Sequence, residues 1–95
     1  GLCDARSVDD SLLHTVERRA YNRVGQTRHA SYDADNVWYY FPRMTRDEAV
    51  LIKNYDTATD GRARYALHCA FEDPTSPPDA APRESLETRA LVFFD

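Results

Sequence analysis

The sequence predicts a mainly β fold with one short helical segment. Three observations point there: short runs rich in Thr, Tyr, Val and Trp, apolar runs of strand length, and Asp, Asn, Gly and Pro clusters that separate them. The opening "GLCDARSVDD" runs an apolar pair into polar chain with no turn signal before it, which reads as a piece of a longer protein. In "QTRHASYDADNVWYYF" two β-rich segments, near 26–32 and 37–41, flank an Asp-Ala-Asp-Asn connection, the pattern of a hairpin. Thr45 and Glu48 then form an S/T-x-x-E capping box that opens a short helical turn. "AVLIKNYD" at 49–56, "YALHCAF" at 65–71 and "SLETRALVFF" at 85–94 complete the expected strands. Between the last two lies a proline-rich loop at 74–82.

Ninety-five residues, 42% hydrophobic and 12% aromatic, suit a single partial domain over 1–95, and a compact chain of this length buries about 60–65% of its unfolded surface. A net charge of −4 with scattered basic residues argues against a nucleic-acid or anionic-membrane partner. No apolar run approaches the roughly 20 residues of a membrane span, and the start has no basic n-region or signal-type core. The expected setting is soluble and cytoplasmic. Cys3 and Cys69, the only cysteines, have neither a metal-knuckle spacing nor the density of a disulfide scaffold. Reduced thiols are expected, although pairing is not readable from sequence.

Strand alternation places the chemistry. Over 66–71, Ala66, His68 and Ala70 share one face and Leu67, Cys69 and Phe71 the other, so the imidazole stands between two methyl groups. That leaves room for a ligand. Fifteen residues later, Arg83 and Ser85 share a face and can grip one carboxylate together, the guanidinium by two-point donation and the hydroxyl by a further hydrogen bond. A histidine ligand combined with such a clamp is the usual equipment of a non-haem Fe(II) oxygenase, in which two histidines and one carboxylate hold the metal. Each feature also has a plainer reading. A histidine beside a cysteine in an apolar strand can be a hydrogen-bonded core residue, and Arg83 can cap the proline loop or pair with Glu84 or Glu87. No catalytic side chain beyond these is singled out.

Other constellations are excluded or plain. His14 and His29 lie in polar stretches, and neither is followed two residues on by Asp or Glu. There is no G-x-S-x-G, no glycine-rich phosphate loop and no His-Glu-x-x-His. "DADN" lacks the glycine and distal glutamate of a calcium loop and reads as a turn. "NVWYYF" reads as hairpin core or as an aromatic ligand patch. Asp4, Arg6 and Asp56 read as surface or ion-pair residues.

Five segments in order carry a resemblance: "LCDARSV", "RVGQT", "WYYFPRMTRDEAVLIKNYD", "HCAFEDPTSPPDAAPRES" and "RALVFF". They resemble the C-terminal half of the CmcJ/AsaB-like family of bacterial and fungal hydroxylases and desaturases, across essentially all 95 residues. The H-x-A-F-x-D-P-T-x-P-P-D run followed by P-R-E-S is the most specific part. The resemblance implies the C-terminal half of a double-stranded β-helix (jelly-roll, cupin-like) enzyme that uses Fe(II), 2-oxoglutarate and O2 to hydroxylate or desaturate a small organic secondary metabolite. It implies that His68 is the distal iron ligand and that Arg83 with Ser85 holds the co-substrate carboxylate, with Arg89 a weaker candidate. The family's first histidine and its carboxylate ligand lie in an upstream His-x-Asp segment that this sequence does not contain. The chain alone is therefore expected to be inactive. A different class of function is a catalytically silent jelly-roll that binds a metabolite or supports a partner enzyme or a second copy. A truncated product with exposed, aggregation-prone strand edges is a third.

Overall fold

The computed structural model describes residues 1–94. Four strands, β1 (Leu2–Cys3), β2 (Leu13–Ala20), β3 (Arg23–Ala30) and β4 (Trp38–Tyr39), form two antiparallel pairs, β2 with β3 and β1 with β4. The mainly β expectation is borne out at that level. Two 3-10 turns, Ala5–Ser7 and Asp10–Leu12, lead from β1 into β2.

The β2–β3 hairpin corrects the expected strand pairing. Residues near 26–32 do enter a strand, yet their partner is the segment before them: Leu13 faces Ala30, Val16 faces Thr27 and Ala20 faces Arg23. Tyr21 and Asn22 make the turn, and neither takes a positive φ, so the Asn-Gly type of hairpin signal is absent from the sequence. Asp33–Asn36 is a turn as expected, with the Asp35 N–H donating to Asp33 Oδ1 at 3.0 Å and the Asn36 N–H to the Asp33 carbonyl at 3.4 Å. It carries the chain from β3 to β4, which pairs with β1 instead (Leu2 with Tyr39, Cys3 with Trp38).

The expected helical segment at 45–48 is also corrected. Glu48 Oε2 accepts from the Thr45 N–H at 2.6 Å, which is half of the capping box. The chain stays a single turn, with no further helical residues to propagate it. The segments at 49–56, 65–71 and 85–94 were expected as strands but form no ladder among the described residues; 65–71 contributes one isolated bridge.

Side chains of aspartate organise much of the irregular chain. Asp4, Asp9, Asp33, Asp56, Asp60 and Asp73 each accept the backbone N–H two residues on, at 2.8–3.2 Å. These are Asx turns, in which a short carboxylate replaces a backbone acceptor and closes a bend locally. Arg6 holds the Asp4 carboxyl down to about 2. Asp9, Asp56, Asp60 and Asp73 are held below the usual carboxylate value by Ser11, Lys53, Arg62 and Thr75 respectively. A carboxylate depressed in the folded state stabilises it fully above the unfolded pKa, near 4, and loses that contribution as pH falls through its folded value. The full-length protein is therefore expected to lose denaturant resistance steadily from about pH 4 towards about pH 2. An Asp4→Asn variant should show a shallower decline over that window.

Ser7 ties the first turn to β4. Its hydroxyl donates to the Asp4 carbonyl at 2.7 Å and accepts from the Val37 N–H at 2.9 Å. Replacing Ser7 with alanine removes both bonds and is expected to cost about 1–2 kcal/mol, read as a lowered urea midpoint at unchanged slope. Farther along, the Arg28 guanidinium lies 4.5 Å from the Tyr65 ring centroid, and Arg64 donates to Tyr55 Oη and to the Asp56 carbonyl, each at 2.9 Å. The Arg28–Tyr65 contact joins the hairpin to the 53–65 segment, and the Arg64 bonds tie that segment to itself. Asp4–Arg6 and Lys53–Asp56 are ion pairs, at 2.6 and 2.7 Å, as expected for those positions.

The apolar surface is mostly open. Accessible area is 9463 Å², against roughly 5600 Å² for a compact chain of this mass, so the expected 60–65% burial is not reached. Cys3 is the one buried apolar residue among the described residues, while Leu51 is 97% and Phe93 87% exposed. The reason is local: 49–56 and 85–94 have no partner strand among these residues to cover their apolar sides. No helix among the described residues is long and apolar enough to cross a membrane.

Candidate functional site

His68 is positioned by pairing with β1. Gly1 and Cys69 exchange two backbone bonds, at 2.8 and 3.1 Å, and the Cys3 N–H donates to the Leu67 carbonyl at 2.9 Å. Leu2 and His68 therefore form the bridge between these bonds, the non-hydrogen-bonded pair whose side chains stand close together on one face. On its other side the Ala66 N–H donates to the Lys53 carbonyl at 2.8 Å. The order β4, β1, 67–69, 53 makes a small sheet stub with His68 in an inner position.

The alternation expected at 66–71 holds in backbone terms, since 67 and 69 bond towards β1 and 66 bonds away from it. His68 Nδ1 lies 2.7 Å from the Ala66 carbonyl. A carbonyl can only accept, so Nδ1 carries the proton and Nε2 of the neutral ring presents a lone pair. Metal-binding histidines are commonly oriented in this way, their second nitrogen donating to a carbonyl or carboxylate. The imidazole is exposed.

Arg83 and Ser85 are both exposed and lie in chain without a ladder. They are reached through two consecutive turns, with the Ser76 N–H on the Asp73 carbonyl (3.1 Å) and the Ala80 N–H on the Pro77 carbonyl (3.0 Å), so the expected proline loop is a double turn. Among the described residues no hydrogen bond joins Arg83 or Ser85 to His68 or to Glu84 or Glu87. Glu87 instead accepts from Arg89 Nε at 3.0 Å, which occupies the weaker clamp candidate in a local surface pair. Nor do three His, Cys, Asp or Glu side chains gather as a metal site among the described residues. His14 and His29 face each other across the hairpin, on Ser31 Oγ (2.8 Å) and Thr27 Oγ1 (3.3 Å).

Two cavities flank the stub. One, of about 450 Å³, is lined by Leu2, Phe41, Met44, Glu48 and 49–51. The other, of about 340 Å³, is lined by Gly1, Trp38, Tyr39, Tyr40, Cys69 and Phe71. Here Tyr40 and Phe71 pack edge to face at 5.1 Å, and a Cβ on Gly1 would meet Trp38 Cε3 at 3.3 Å. Leu2 was missed in the sequence as the partner of His68. Its only signal there was the apolar pair Leu2-Cys3, too short to show which strand it joins.

Comparison with known proteins decides the family. The sequence profile of the family described as an oxidoreductase/YMDC permease-like domain matches residues 1–93. The chain belongs to this family. Among curated proteins, this oxidoreductase-like chain is 38% identical over 105 residues to hydroxylase/desaturase efuI of Hormonema carpetanum, covering 99% of the chain and 35% of the relative. It is 47% identical over 106 residues to hydroxylase/desaturase asaB of Aspergillus flavus, covering 97% of the chain and 47% of the relative. It is 38% identical over 92 residues to the Fe(II)/2-oxoglutarate-dependent dioxygenase nvfI of Aspergillus novofumigatus, covering 95% of the chain and 33% of the relative. The resemblance to hydroxylases and desaturases read from the motifs is thus borne out. The chain spans about a third to a half of the length of these relatives. No solved structure matches it.

Proposed function

We propose that the whole protein is a non-haem Fe(II)/2-oxoglutarate-dependent oxygenase that hydroxylates or desaturates a small organic metabolite. The observation that carries this reading is His68, whose Nδ1–H is fixed on the Ala66 carbonyl while Nε2 has no hydrogen-bond partner among the described residues. Relatives described as Fe(II)/2-oxoglutarate-dependent and alpha-ketoglutarate-dependent dioxygenases support it. The residues fit the group: a neutral imidazole suits Fe(II), and its lone pair is held at the edge of a sheet face rather than spent on a protein donor. His68 would be one ligand of a set completed by residues outside 1–94.

Fe(II), when bound, supplies O2 activation coupled to oxidation of 2-oxoglutarate, and the protein supplies position and a dry site. In this chain Ala66 fixes the ring of His68 by accepting its Nδ1–H. Arg83 and Ser85, two residues apart, would take the far carboxylate of 2-oxoglutarate once docking of the remaining polypeptide brings 85–94 into a sheet. A jelly-roll, which closes sheets face to face, would also cover the apolar residues left open at 91–94.

The test is an anaerobic titration of the full-length protein with Fe(II) and 2-oxoglutarate, following the visible charge-transfer band of the chelate. A band that disappears in His68→Ala supports the oxygenase. A folded protein with no band belongs instead to the silent metabolite-binding reading.

A further inference from the structure

Leu2 and His68 are the two halves of one non-hydrogen-bonded bridge, so their side chains rise from the same face of the sheet stub at the closest spacing two strands allow. Tyr39 lies opposite Leu2 on the other side. Phe41, two residues on, keeps its phase, and Arg43, at φ 53, then turns the chain so that Met44 and 48–51 come back beside Leu2. The result is the 450 Å³ cavity, within the ordinary size range of small-molecule sites and sharing Leu2 as a wall with the histidine. Its side-chain lining is apolar apart from Glu48, one of whose carboxylate oxygens accepts from the Thr45 N–H.

The second cavity does not have this relation. Gly1, Trp38, Cys69 and Phe71 are in the opposite phase of the same strands, so the backbone of the stub separates them from the imidazole, and Tyr39 is the one lining residue in β4 that shares the phase of Leu2.

We infer that the cavity walled by Leu2, Phe41 and Met44 receives the apolar skeleton of the substrate beside His68, and that these three side chains determine which substrates fit. This rests on the reading of His68 as an iron ligand. The substrate is then a molecule with a hydrocarbon or aromatic portion and no negative charge on that portion, because the one charged side chain in the lining is the carboxylate of Glu48.

The experiment uses the full-length protein loaded with Mn(II) in place of iron and toluene as an apolar probe, reading paramagnetic relaxation of the toluene protons. Wild type is expected to relax them strongly. Leu2→Trp and Met44→Trp, which fill the cavity from two sides, are expected to weaken the effect by about tenfold or more at unchanged Mn(II) affinity. Met44 is 41% exposed, so its variant keeps the fold if the Leu2 change does not. Toluene that is not relaxed by the wild type, or is relaxed equally in both tryptophan variants, overturns the cavity assignment alone. An Mn(II) affinity that His68→Ala leaves unchanged overturns the iron reading and the inference with it.

Discussion

His68→Ala in the full-length protein is expected to weaken Fe(II) binding by more than the roughly 10–100-fold that follows loss of a ligand's outer hydrogen-bond partner, and to abolish turnover. The prediction is sharp because the side chain does little else. Among the described residues its one side-chain hydrogen bond goes to the Ala66 carbonyl two residues away, and the bonds that hold the segment to β1 belong to the backbones of residues 1, 3, 67 and 69. Truncation should therefore leave the far-ultraviolet circular dichroism and the urea midpoint close to wild type. A variant that binds Fe(II) normally, or that loses iron only because it unfolds, removes His68 from the site.

Arg83→Ala should separate co-substrate from metal. A guanidinium that grips a carboxylate in a desolvated site accounts for several kcal/mol when truncated, so 2-oxoglutarate affinity is expected to fall by about a hundredfold or more while Fe(II) affinity changes little. Ser85→Ala, which removes one hydroxyl donor to a charged group, should cost about tenfold. Lys at position 83 keeps the charge but loses the fork and should recover only part of the affinity. Isothermal titration of the metal-loaded protein reads all three. Equal co-substrate affinity in Arg83→Ala and wild type would transfer the role elsewhere; Arg89, already paired with Glu87 on the surface, would then need that pair broken first.

What could be read from the residues and what could not divide along the range of the interactions. The turn at 33–36, the double turn of the proline loop and the ion pairs of Asp4 and Asp56 depend on neighbours within a few residues, and each follows from local chemistry. The hairpin was placed one strand too late because Tyr21-Asn22 turns without glycine or positive φ, while Asp-Ala-Asp-Asn offered a stronger local signal. The capping box at Thr45 formed its side-chain bond, yet no amphipathic face followed to extend it. The use of six aspartates as Asx acceptors was missed because nothing in composition separates a capping carboxylate from a solvated one.

The sequence by itself determined the β character, the turns at 33–36 and in the proline loop, the family motifs and the presence of one histidine in a strand with small neighbours. Those properties rest on backbone propensity and on side chains close along the chain. Only the tertiary structure decided that β1 lies between β4 and the histidine segment, that Leu2 is the neighbour of His68, and that Nδ1 is the nitrogen already committed. The first two depend on contacts between residues some 35 to 70 positions apart, and the third on a bend of the backbone that brings the Ala66 carbonyl to the ring. A strand's alternation fixes which residues share a face, but strand order and register fix what that face meets.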